Sequence, residues 1–155
     1  MIEKKEYMSR RQELMSMMHK NSIAVISSAP EKVRSRDTNY PYKQNVNLTY
    51  LAGFPEPESV LVLIPDREDG QVILFCRDKD PLRETWDGYR EGPASAIKKY
   101  GLDDAFPISD IDDILPNLIE GKDRLYYAVG KDAEFDKRIM AVSYTHLRAH
   151  ETAYH

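Results

Sequence analysis

Three short apolar runs rich in β-branched residues, SIAVISS (22–28), SVLVLIP (59–65) and QVILFCR (71–77), constrain this chain more than any other feature. Each is bounded by turn residues and is too short for an ordinary helix, so each reads as a buried strand. The turn DREDG joins the last two as an antiparallel pair. LTYLAGF (48–54), ahead of Pro55 and Pro57, reads as a further strand and extends the pair into a meander.

Around these runs the pattern changes period. In KKEYMSRRQELMSMMHK, residues Tyr7, Leu14 and Met18 fall near helical spacing, so the chain opens with an amphipathic helix that Asn21 ends. PASAIKKYG is a helix with Pro93 in its first turn and Gly101 as its C-cap. DIDDILPNLIEG is another, with Asp110 as N-cap, acidic first-turn residues and Pro116 placed to bend it. DAEFDKRIMA begins a third at Asp132, and DAFPIS and RLYYAVG are two more strands. Strands alternating with helices in the second half define an α/β fold, a mixed sheet with helices on its faces. Two stretches fit no regular element: PEKVRSRDTNYPYKQNVN (30–47), long for a structureless connection, and KDPLRETWDGYREG (79–92).

At 155 residues the expectation is one domain. With 22 basic and 26 acidic residues, net charge −4, nothing favours a nucleic-acid partner. No run approaches the roughly 20 apolar residues of a membrane span. The single cysteine, Cys76, lies in a strand-like run and reads as a buried thiol of a reducing compartment, which makes the cytoplasm the expected location.

Catalytic motifs are lacking. AGFPEP and GYREGP have neither the glycine spacing nor the lysine of a phosphate loop. His19 ends the first helix beside Lys20, where a cation complements the helix dipole. The aspartates of GLDDAF and DIDDIL read as caps. Three of the four histidines lie in the closing HLRAHETAYH. His146 and His150 share a helical face, but Glu151 follows the second histidine rather than the first, and His155 falls on the opposite face. Two ligands fall short of the three or four that a zinc site needs, so no metal site is assigned. What remains is Trp86, the only tryptophan, flanked by Arg83 and Arg90. This is the make-up of an interface hot spot; the competing reading is that Trp86 plugs the edge of the core.

RSRDTNYPYKQNVNLTYLAGFPEPESVLVLIP followed by ETWDGYREG resembles the N-terminal domain of Xaa-Pro aminopeptidase (aminopeptidase P), as do the opening helix and SIAVISSAPE. The resemblance runs from about Glu3 to Met140, giving a domain at 1–140 and a tail at 141–155. The stretch VSYTHLRAHETAYH is similar to translated sequencing-adaptor DNA, so the tail is read as non-native or disordered. The resemblance implies a mixed sheet flanked by helices in three layers, similar to ribonuclease H, placed before a pita-bread catalytic domain of which this chain has no counterpart. That second domain binds two manganese ions through two Asp, one His and two Glu and releases an N-terminal residue preceding proline. The chain alone is therefore expected to be inactive, with no catalytic residue and no cofactor of its own. Implied partners are the catalytic domain, further copies in a homo-oligomer and, in the full enzyme, proline-containing peptides. By position, Trp86 is similar to a tryptophan that reaches into a neighbouring subunit's active site. Asp37 is similar to a loop acid near the cleft of its own subunit, and Arg90 belongs to the same rim. The alternative is a stand-alone binding or oligomerisation domain.

Overall fold

Alternation along the three defining runs decides the architecture. In the computed structural model, which describes residues 2–31, 42–148 and the backbone of 153–154, these runs form β1 (Ser22–Ser27), β2 (Val60–Leu63) and β3 (Val72–Cys76). Ile23, Val25, Val60, Val62, Ile73 and Phe75 face one core, whereas Ala24, Leu61, Leu63, Val72, Leu74 and Cys76 face another. A sheet apolar on both faces must be covered on both.

The helices divide between the faces. α1 (Lys4–Met17), α2 (Val46–Ala52) and α4 (Pro93–Tyr100) supply Met15, Leu48, Leu51, Ala52 and Ala96 to one core. α5 (Ile111–Ile119) and α6 (Ala133–His146) supply Ile111, Leu115, Ile119, Phe135 and Ile139 to the other. Between them, β4 (Asp104–Pro107), β5 (Arg124–Tyr127) and the two-residue β6 (Ala153–Tyr154) complete a sheet of order β4-β3-β2-β1-β5-β6. β2 is antiparallel to β1 and β3, while the β1–β5, β3–β4 and β5–β6 pairs are parallel. This is the three-layer mixed α/β domain expected above.

Four local expectations need correction. LTYLAGF is not a strand: 46–52 form α2, because Asn45 Oδ1 accepts from Asn47 N–H at 2.9 Å and Leu48 N–H at 3.2 Å. Gly53, at φ 68°, closes that helix in the left-handed region, and a Cβ there would lie 2.6 Å from the Tyr7 ring. The segment at 79–92 is not irregular throughout, since 81–87 form a short helix, α3. α1 ends at Met17 rather than at Asn21, which instead takes φ 52° in the turn into β1. His19 accordingly lies outside the helix and meets the Tyr126 hydroxyl.

α1 turns a charged residue inward. Arg11 is 1% exposed, as deeply buried as the aliphatic core. Its Nη1 donates to Leu51 O (2.9 Å), and its Nη2 to Tyr100 O and Gly101 O (3.0 Å each). These carbonyls belong to the C-terminal ends of α2 and α4, which lack intrahelical donors and carry partial negative charge. Burial lowers the Arg11 pKa, with Asp103 acting in the opposite direction.

α6 begins as expected, with Asp132 Oδ1 accepting from Phe135 N–H. It continues through His146, six residues beyond Met140, and is followed by the buried Leu147. His146 Nδ1 lies 2.8 Å from Glu120 Oε1, while His150 and His155 fall outside the described residues. Cys76 is fully buried, and burial, with Glu56 next in effect, pushes its thiol up to about 12.

Candidate functional site

A helix of seven residues cannot hold itself together in water and must be tied down. α3 (Pro81–Asp87) starts well, with Pro81 in its first turn and Asp80 Oδ1 accepting from Arg83 N–H at 3.2 Å. Yet it buries none of its residues. Leu82 and Trp86, four apart and therefore on one face, are 77% and 83% exposed, and Tyr89 just beyond is 62% exposed. Trp86 does not plug the core.

Polar groups hold α3 instead. Lys79 Nζ donates to Glu84 Oε1 and to Arg90 O, both at 2.8 Å, and Glu84 Oε1 also accepts from Arg90 N–H at 3.0 Å. Lys79 sits 4.0 Å from the centroid of the Tyr89 ring, a cation–π contact. Glu91, 4% exposed, accepts from Tyr89 Oη (3.3 Å), Lys99 Nζ (3.2 Å) and Ser95 Oγ. Its own N–H donates to Glu56 Oε2 at 2.8 Å, and Arg77 Nη2 lies 3.4 Å from Glu56 Oε1.

Glu56 connects this clasp to the first family-like segment. Gln44 Oε1 accepts from Ala29 N–H (3.0 Å), Tyr42 Oη (2.9 Å) and Asn45 N–H (2.8 Å), while its Nε2 donates to Phe54 O (3.0 Å) and Glu56 O (2.8 Å). The stretches YKQN, AGFPEP and GYREG thus form one hydrogen-bonded unit with α3 at its tip. Phe54 anchors it from below, edge-on to Tyr100 at 5.1 Å.

Of the residues singled out from sequence, Trp86 and Arg90 belong to this unit and Asp37 lies outside the described residues. Arg90 is folded beneath the tip: its side chain is 13% exposed and its Nη2 lies 4.0 Å from Asp87 Oδ2. Sequence reading missed Gln44, Glu56, Glu84 and Glu91. The glutamates resemble solvated surface charges until their N–H partners are known, although Pro on both sides of Glu56 marks a fixed backbone.

The clasp is sensitive to acid. The Lys79 hydrogen bond, with the Arg90 N–H, holds the Glu84 carboxyl below its ordinary 4.5. Burial pushes the Glu91 carboxyl up, but the Ser95 and Lys99 hydrogen bonds outweigh it and leave that group lowered too. Carboxyls lowered by folding contribute stability above the unfolded value and lose it as pH falls through the folded one. Backbone 15N order parameters of 83–88 are therefore expected to match those of α4 at neutral pH and to fall below them as the solution is acidified beneath 4.5, before α4 loosens. Loss of order in α3 and α4 at the same pH would contradict this.

Among the described residues, no three His, Cys, Asp or Glu side chains converge to hold a metal ion, and no helix is long and apolar enough to cross a membrane. The carboxylates nearest the tip are already committed to ammonium, guanidinium or N–H partners. Fold and site together define a three-layer α/β domain that presents a braced aromatic surface.

Residues 7–127 match the family model described as aminopeptidase P, N-terminal domain. The chain belongs to that family. It is 43% identical to the Xaa-Pro aminopeptidase of Escherichia coli K12 over 136 residues, 87% of this chain and 31% of the relative. The structure of Pseudomonas aeruginosa aminopeptidase PepP superposes with a TM-score of 0.88 at 54% identity, covering 93% of this chain and 33% of that one. That of E. coli aminopeptidase P with the inhibitor Pro-Leu gives 0.84 at 41% identity, covering 89% and 32%. The chain thus spans about a third of the length of the relatives it matches.

Proposed function

We propose that this chain acts as the non-catalytic N-terminal domain of an Xaa-Pro aminopeptidase-like manganese metallopeptidase, assembling the oligomer and shaping the pocket that receives proline-containing peptides. The observation that carries this reading is the outward face of Leu82 and Trp86 on a helix braced by Glu84, Lys79 and Glu91. Exposed large apolar side chains held rigidly, at little entropic cost, are what a contact surface needs. A flat indole there stacks against a peptide or a neighbouring subunit. In this reading the manganese chemistry is supplied by the part of the full-length enzyme that lies outside the matched region. The cytoplasmic assignment is supported by the buried free thiol of Cys76.

The test joins residues 1–140 to the remaining two thirds of the E. coli enzyme in place of its own matching part. The chain alone is expected to cleave no Xaa-Pro tripeptide in the presence of Mn2+, and the joined enzyme to cleave it. Trp86→Ala in the joined enzyme is expected to lower kcat/KM about tenfold or more. Unchanged kcat/KM would remove the pocket-shaping role. A change confined to self-association would leave only the assembly role, and a joined enzyme that cleaves nothing would favour the stand-alone binding reading instead.

A further inference from the structure

The hydrogen bonds around α3 converge on one point of the backbone. The N–H groups of Arg90 and Glu91, adjacent in the chain, each donate to a glutamate: Arg90 to Glu84 Oε1 at 3.0 Å and Glu91 to Glu56 Oε2 at 2.8 Å. Arg90 O accepts from Lys79 Nζ at 2.8 Å, which ties the residues before the helix to those after it. The two ends meet again at Gly92, where the backbone takes φ 79° and a Cβ would lie 3.1 Å from Lys79 Cβ and 3.4 Å from Lys79 N. Residues 79–92 therefore form a compact loop of the Ω type, closed at its neck, with the exposed Trp86 on its outer side.

Lys79 and Glu84 lie within the loop and close it on itself, whereas Glu56 comes from the body of the domain. Its carbonyl accepts from Gln44 Nε2 at 2.8 Å and from Ser59 Oγ at 2.9 Å, beside the start of β2. Its carboxylate faces Arg77, just beyond β3, at 3.4 Å, and the residue is 8% exposed. α4 reaches the same place through Ser95 and Lys99, but these bind the Glu91 side chain and leave its N–H to Glu56. A buried carboxylate held from two strands and directed at one N–H fixes where the neck of the loop sits, because a charge-assisted bond shielded from water is short and strong. We propose that Glu56 is a positioning residue for Trp86: it sets the neck of the 79–92 loop against the sheet and so determines where the indole is presented. The inference rests on the contact role proposed above for Trp86 and names a residue, remote in sequence, on which that role depends.

The first measurement compares backbone 15N order parameters of 85–88 with those of 96–99 in α4, in the full chain at neutral pH. Both are expected near about 0.85 in the parent. Glu56→Ala should bring 85–88 below about 0.6 and leave 96–99 unchanged. Glu56→Gln, which keeps an oxygen for the Glu91 N–H, should restore most of the difference. If Glu56→Ala does not fold, Glu56→Ala/Arg77→Met, which also removes the guanidinium left unpaired, takes its place. The second measurement uses the joined enzyme. There Glu56→Ala should lower kcat/KM about threefold or more, and adding it to Trp86→Ala should cost less than about twofold further, since nothing remains to be positioned. Unchanged order at 85–88, equal loosening of 85–88 and 96–99, or losses that multiply in the double variant would each overturn the proposal. If the joined enzyme cleaves nothing, or Trp86→Ala leaves kcat/KM unchanged, the reading above fails while the order parameters still decide whether Glu56 holds the loop.

Discussion

Replacing Arg11 with methionine is expected to lower the free energy of unfolding by about 3–4 kcal/mol, read from urea denaturation. Methionine fills much of the same volume, so the loss reports the guanidinium rather than a cavity. Leu51 O, Tyr100 O and Gly101 O would be left at two helix ends without donors in a site closed to water. Arg11→Lys keeps the charge, but one ammonium cannot reproduce the planar fork, and about half the loss is expected. A Met variant within about 1 kcal/mol of the parent would show that water replaces the guanidinium and that α2 and α4 are not joined through it.

Gln44→Ala should cost about 2–3 kcal/mol, again by urea denaturation. Its amide serves five partners in three segments, and Phe54, whose carbonyl it binds, is completely buried. Gln44→Glu sharpens the interpretation. It keeps the acceptor facing Ala29, Tyr42 and Asn45 but turns an oxygen toward Phe54 O and Glu56 O, so at neutral pH it should be at least as harmful as alanine. If the Glu variant is as stable as the parent, the amide is not the hub described.

The strands were legible because their signal is dense. β1 to β3 are uninterrupted apolar runs, and β4 and β5 lie in the predicted DAFPIS and RLYYAVG. α4 was legible through its punctuation, Pro93 and Gly101. α2 was not: seven residues contain barely two helical turns, and Leu, Thr and Tyr suit a strand equally well. Its markers were present in Asn45 and Gly53, and weighting the caps above the apolar content would have found it. Arg11 was hidden because a charged residue between Arg10 and Gln12 looks like a solvated face; only the meeting of two helix ends makes it a core residue. Trp86 stood out as the single tryptophan, and the structure places it outside the core, but the clasp beneath it joins segments more than 30 residues apart and has no local periodicity to reveal it.

The position of the sole tryptophan also governs how this protein can be followed in solution. Its indole already meets water in the folded state, 83% exposed, so intrinsic emission should hardly respond when the cores built on Phe54, Phe75 and Leu125 come apart. A denaturation curve recorded at tryptophan wavelengths would monitor the attachment of one short helix. The ten tyrosines, several of them packed against the sheet, are the chromophores that sense global unfolding. Disagreement between the two signals would arise from the geometry of a single residue and would not by itself indicate a folding intermediate.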